Sequence, residues 1–149
     1  MSLDFIEHGV IRGRFDHLSV TSAPSEYAQR AMTWYAELWP SGQRDLRLHA
    51  ALNCASLGCP NLPNTAPYVY QAATIEAQVT QATAQWLANP VKGAGPNGIS
   101  LIFAFYPEDF SEGGGVMQFI TTYRPGGVGD VRFDLQLNYD ITLNDVSKG

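Results

Sequence analysis

The chain holds little of what usually declares a chemistry. Its 149 residues include only two cysteines, Cys54 and Cys59, and three histidines, His8, His17 and His49. Two cysteines close at most one internal disulfide, so a disulfide-stapled scaffold is excluded, and the pair alone does not fix the redox compartment. Lysine is as scarce: Lys92 and Lys148 stand beside seven arginines, all scattered, in a chain of net charge −5. Without a basic cluster, nucleic-acid contact and polybasic attachment to a membrane surface are not expected. No apolar run approaches the roughly 18 residues of a membrane span. The opening MSLDFIEHG has early acids and no apolar stretch, so it does not read as a signal peptide. As written the chain reads as soluble; Met1 to Leu3 can also be a remnant, and export is possible if a native N-terminal signal has been cut away. The glycine runs at 113–115 and 126–127 lack a following Gly-Lys-Ser/Thr, so neither is a phosphate cradle and no cofactor is expected. There are no repeats and no low-complexity tract.

What is present supports a core. The hydrophobic share is 45%, and a chain of this length buries roughly 68–70% of its unfolded surface without help from metals or bridges. LDFIEHGVIR at 3–12 fits a short helix with Leu3, Ile6 and Val10 on one face and Asp4, His8 and Arg12 on another. Glu7 falls inside the apolar arc, which places it at the rim of the core or beside a partner. SEYAQRAMTWYAELW at 25–39 fits a second helix, with Pro24 before it and Pro40-Ser41-Gly42 after it. Residues 71–88 fit a third, with Ile75, Val79, Ala82 and Trp86 on one face and Gln71, Gln78, Gln81 and Gln85 on another. VMQFITTY at 116–123 fits a fourth. Strands are expected at 46–53, at 99–106 and at 131–137, where apolar and polar residues alternate or aromatic and branched residues crowd together. Three prolines, at 60, 63 and 67, make 54–67 a long loop. The expected architecture is α+β: a small sheet packed by three to four helices, in a single domain spanning 1–149.

The chemistry centres on LHAALNCASLGCP at 48–60. Cys54 could be a nucleophile with His49 or His8 as its base. On a continuous strand, however, an offset of five residues puts His49 and Cys54 on opposite faces, about 16 Å apart. Cys54 and Cys59 could instead join His8 and His49 around a metal, but C-x4-C is wider than the usual knuckle and no second close pair exists, so no metal is assigned. A Cys54–Cys59 disulfide and a buried, inert thiol remain open. Glu108, Asp109, Asp140 and Asp145 suit turns and solvated loops. His17, in a polar loop, is given no role.

Four blocks resemble one family. LDFIEHGVIR at 3–12, RLHAALNCASLGCPNL at 47–62, SLIFAFYPEDF at 100–110 and YDITLND at 139–145 occur in the order of the motifs of the domain-of-unknown-function family 547. In that family an Ile-Glu-His helix precedes a His strand leading to Asn-Cys-Ala/Gly-Ser-x-x-Cys-Pro. Ile141-Thr142 departs from the Trp-Ser usual in the last block. The Asn-Ala-Tyr-Asn-Ala helix that precedes these blocks in the family has no counterpart, so the chain is similar to the C-terminal portion of the domain. The resemblance implies that Glu7, His8, His49, Asn53, Cys54, Ser56, Cys59 and Pro60 are motif positions forming one candidate site. Many bacterial members look exported, which favours a disulfide, and plant relatives occur beside coiled coils, which suits an interaction module.

Two functions follow as expectations. The first is a non-catalytic binding or scaffold module in which a Glu/His/Cys polar cluster fixes the long loop, a protein being the partner class left open. The alternative is a cysteine- and histidine-dependent hydrolase- or transferase-like enzyme: Cys54 the nucleophile, His49 or His8 the base, Glu7 orienting it, with Asn53, Ser56 and Cys59 lining the site.

Overall fold

A computed structural model describes residues 2–61, 69–111 and 114–143. The chain divides into two compact units, Met1–Asp45 and Leu46–Gly149. The architecture is α+β: among the described residues helices carry most of the regular secondary structure, beside one small antiparallel sheet.

The first unit is helical. Helix α1 (Leu3–Phe5) starts on the Ser2 hydroxyl, which accepts the Phe5 amide at 3.1 Å, and runs into a π-helical turn, Ile6–Ile11. The wider turn is marked by the Arg12 amide reaching the Glu7 carbonyl at 2.9 Å. Residues i and i+5 therefore lie above one another, and this sets the fate of Glu7. Its Oε1 accepts from Nε of the buried Arg12 at 2.9 Å, which meets the expectation of a partner for a carboxylate near the core. Helix α2 (Leu18–Thr21) and helix α3 (Ser25–Leu38) complete the unit. Phe5, Val20 and Ala31 are buried at its centre, with Val10, Phe15 and Tyr27 packed around them. Gly9 permits this packing. A Cβ there would lie 2.9 Å from Val20 Cγ2 and 3.3 Å from the Ala31 methyl, closer than carbon atoms pack at ease.

The second unit starts with helix α4 (Leu48–Ala51), where a strand was expected. The Leu52 amide bonds the Leu48 carbonyl at 2.9 Å, and Leu48, His49 and Ala50 are buried in succession. A strand would alternate them between faces. One helical turn tucks all three inward, and two alanines favour it. Helix α5 (Ile75–Ala88) follows. The Gln78 side chain braces its approach, accepting the Gln71 amide at 2.7 Å and donating to the Val69 carbonyl at 3.1 Å, while Gln81 and Gln85 face outward.

Strands β1 (Ala94–Gly95) and β2 (Gly98–Ile99) form a tight antiparallel hairpin. The strand expected at 99–106 ends at once. The Ser100 hydroxyl accepts the Ile102 amide at 3.4 Å and the chain turns into helix α6 (Ile102–Phe105). Its apolar residues are buried not by pairing but by packing: Ile102 and Phe103 point inward while Phe105 stays exposed. Burial has overridden strand propensity. The segment 131–137 is likewise no regular strand. It is turns, with one parallel bridge from Gln136 to Ile99, supported by the Leu137 amide on the Ile99 carbonyl at 2.8 Å. The turn from Arg132 to Leu135 breaks its alternation. Helix α7 (Gly115–Tyr123) closes the unit. The core is aromatic: Trp86 stacks on Phe103 at 5.3 Å, and Phe110 meets Phe103 and Phe119 edge-on at 4.8 and 5.2 Å.

Candidate functional site

The two cysteines sit on the loop that leaves α4, and local hydrogen bonds shape it. Asn53 Oδ1 accepts the Ala55 amide at 2.7 Å, and its Nδ2 donates to the Pro60 carbonyl at 2.6 Å. One side chain thus ties both ends of the turn. Ala55 is held at φ +60°, the left-handed region that a residue with a Cβ seldom occupies. Such strain persists where surrounding contacts enforce it. Here they come from residues 140–143: the Leu57 amide donates to the Thr142 carbonyl at 2.8 Å and the Gly58 amide to the Asp140 carbonyl at 2.7 Å. Gly58 allows that approach, since a Cβ would lie 2.8 Å from the Asp140 nitrogen. Lys92 fastens the far end, its Nζ donating to the Cys59 carbonyl at 3.1 Å and to Asn61 Oδ1 at 2.6 Å.

This frame presents Cys54 to solvent. Both cysteines are free thiols, Cys54 exposed and Cys59 buried, so the disulfide alternative is not what the structure holds. Cys54 Sγ lies 3.2 Å from Ser56 Oγ and 3.1 Å from the Tyr139 hydroxyl, and Ser56 Oγ and the Tyr139 hydroxyl are 3.2 Å apart. The Cys54 amide points to Cys59 Sγ at 3.1 Å. Partial burial pushes the Cys54 thiol up. Hydrogen bonds from Ser56, Tyr139 and Cys59, with the Ser56 amide, outweigh it and bring the pKa down to about 7. Cys59 goes the other way: burial dominates and raises it to about 11. Tyr139 is also raised, by burial first and then by its bond to Cys54, so it keeps its proton as a donor. An anionic sulfur is thus favoured by donors rather than by a neighbouring cation.

The remaining candidates have other partners. His49 has a fully buried side chain, and its Nε2 is 3.0 Å from Oδ2 of Asp109, itself only 6% exposed. Its ring packs 4.7 Å from Tyr106 and 5.0 Å from Phe110. Asp109 therefore serves the core and not merely the turn that the sequence suggested. Glu7 and His8 belong to the first unit, Glu7 with Arg12 as described. His8 Nε2 is 3.5 Å from Asp4 Oδ1, and its ring stacks on His17 at 3.8 Å. Burial, then the adjacent His17, holds the His8 pKa below its ordinary value. His17 is more than a loop residue, for its ring also accepts the Ser19 amide and starts α2.

Cys54, Ser56 and Cys59 thus meet, with Asn53 bracing their loop. Tyr139 and Asp109 were the side chains that the sequence reading missed. Their signals were present in the blocks YDITLND and SLIFAFYPEDF, but each is distant in sequence from its partner.

An α+β protein presenting an exposed, low-pKa thiol on a strained loop is the class that fold and site define. The chain belongs to the family described as "Protein of unknown function, DUF547", whose model matches residues 1–87. The match includes Glu7, His8, His49 and the cysteine loop and stops short of Asp109 and Tyr139. No curated protein and no solved structure matches the chain. Among the described residues no helix is long and apolar enough to cross a membrane.

Proposed function

We propose that the Cys54 loop carries out covalent thiol chemistry of the hydrolase or transferase type. The observation that supports this is the contrast between the two cysteines. Cys59 is buried and held protonated, whereas Cys54 is exposed and half ionised near pH 7. A purely structural cysteine gains nothing from donors that stabilise its anion. In the proposed step the Cys54 thiolate adds to an electrophilic carbonyl carbon. A carbon–sulfur bond forms, the leaving group departs with its electron pair and takes a proton from solvent, and a thioester remains. Water or a second acceptor then attacks the thioester and returns the thiolate. The hydroxyls of Ser56 and Tyr139 hold the anion before attack, the part that His49 or His8 would play in a cysteine–histidine dyad. This reading gives His49 and Asp109 to the core, which their burial favours, and gives Glu7 to the pair with Arg12.

The reading is tested with an activated acyl ester followed by peptide mass spectrometry. The acyl group is expected on the peptide containing Cys54 and absent from Cys54→Ser. Acylation that survives in Cys54→Ser refutes it.

A second reading, the non-catalytic module, is favoured by one observation. The ionisable residues Glu7 and His49 are spent on internal partners, Arg12 and Asp109. It predicts that His49→Ala and Glu7→Gln both lower the melting temperature, while Cys54→Ser leaves partner binding intact.

A further inference from the structure

We infer that Asp4, His8 and His17 form a binding site for one divalent transition-metal ion of the zinc class. One ligand atom from each residue lies within 4.8 Å of the others. Asp4 Oδ1 is 3.5 Å from His8 Nε2, and Asp4 Oδ2 is 3.8 Å from His17 Nδ1. Zinc bonds of about 2.0–2.1 Å at tetrahedral angles hold donor atoms about 3.4 Å apart, so each Asp4 oxygen already lies near that separation from one histidine, and a set with one atom per residue closes to within 4.8 Å. Local structure produces them. Asp4 and His8 are one helical turn apart, and His17 is brought to them as the residue that starts α2.

Salt bridging alone is a poor account of the cluster. The rings of His8 and His17 stack at 3.8 Å with 16° between their planes. Two imidazolium ions at that distance would repel, and one carboxylate cannot neutralise both. Two neutral imidazoles and a carboxylate are instead the donor set that a borderline cation prefers over calcium or magnesium. Binding requires the stacked rings to turn until their lone pairs converge, and a metal on His17 Nδ1 replaces both the 3.3 Å contact from the Ser19 amide and the 2.9 Å hydrogen bond between Nδ1 and Ser19 Oγ. Asp4 is exposed, which provides an entry path. Three protein ligands leave a coordination position for water or a small anion.

The test is calorimetric titration of the full chain with zinc chloride in a Cys54→Ser background, so that the exposed thiol does not compete. One ion per chain is expected. His17→Asn removes the ligand but keeps a side-chain acceptor for the start of α2, and affinity should fall about tenfold or more. Asp4→Asn, at an exposed position, should do the same and serves if His17→Asn loosens the helix. At one equivalent of cobalt(II) the spectrum of the unmodified chain should be dominated by nitrogen and oxygen ligation rather than by a thiolate charge-transfer band. Unchanged binding in Asp4→Asn, no binding at all in the Cys54→Ser protein, or a dominant thiolate band overturns the assignment.

Discussion

Replacing Tyr139 by Phe removes one hydroxyl and leaves the ring. In the native loop that hydroxyl is 3.1 Å from Cys54 Sγ and is also bonded by Ser56. A hydrogen bond to a charged group contributes about 1.5–3 kcal/mol when sheltered. Cys54 is exposed, so the lower end applies, and about 1.4 kcal/mol corresponds to one pH unit. The thiol should therefore titrate near 8 in Tyr139→Phe rather than at about 7. The assay is the rate of alkylation of Cys54 by iodoacetamide between pH 5 and 10. At pH 7 half of Cys54 is thiolate, against about 3% of an ordinary cysteine with pKa near 8.5. That is an advantage of about 16-fold. A weaker base is also a weaker nucleophile, and a Brønsted slope of about 0.4–0.5, taken from thiol–disulfide exchange, returns about fivefold of the gain. The net advantage is about threefold at pH 7, grows to about sixfold at pH 6, and inverts above roughly pH 7.8. This crossover, more than any single rate, marks an acidified thiol. A wild-type midpoint at 8.5 or above, or a midpoint in Tyr139→Phe unmoved from that of the native protein, would refute the reasoning.

Other consequences are as specific. Asp109→Ala removes one partner of a buried pair and should destabilise the fold by about 3–5 kcal/mol, read by urea denaturation. In the milder Asp109→Asn the alkylation midpoint of Cys54 should stay near 7, because hydroxyl and amide donors set it; a clear rise would return His49 to the thiol's activation. Gly9→Ala forces a methyl to within 2.9 Å of Val20 Cγ2 and should cost about 1–3 kcal/mol, visible as a lower melting temperature. Asn53→Ala frees both ends of the cysteine turn. It should raise the Cys54 midpoint through loss of the loop geometry, with helix content by circular dichroism unchanged.

The helices were legible because their patterning is long. The stretches 25–39, 71–88 and 116–123 each carry two or more turns of apolar spacing, and all three are found, at Ser25–Leu38, at Ile75–Ala88 one turn shorter than expected, and at Gly115–Tyr123. The strands were not. In 48–51 the residues Leu, His, Ala, Ala read as readily as alternation as one turn of helix, and only the simultaneous burial of Leu48, His49 and Ala50 decides. In 99–106 the aromatic residues signalled burial correctly but not its geometry, since Phe103 packs on Trp86 from a helix. Glu7 was read with more success. Its place in the apolar arc called for a partner, and the π-helical turn supplies Arg12. For the candidate site, the loop residues were visible because they lie within seven positions of one another. Tyr139 and Asp109 were not, because pairings over 85 and 60 residues leave no local spacing to read.

The central claim is that Cys54 is a reactive free thiol and Cys59 a sheltered one. It is tested most directly by labelling the native protein with iodoacetamide at pH 7 and counting the label on each cysteine peptide, before and after denaturation. The account predicts Cys54 labelled in the folded protein and Cys59 labelled only after unfolding. Equal labelling of both in the native state, or labelling of neither until a reductant is added, would contradict it.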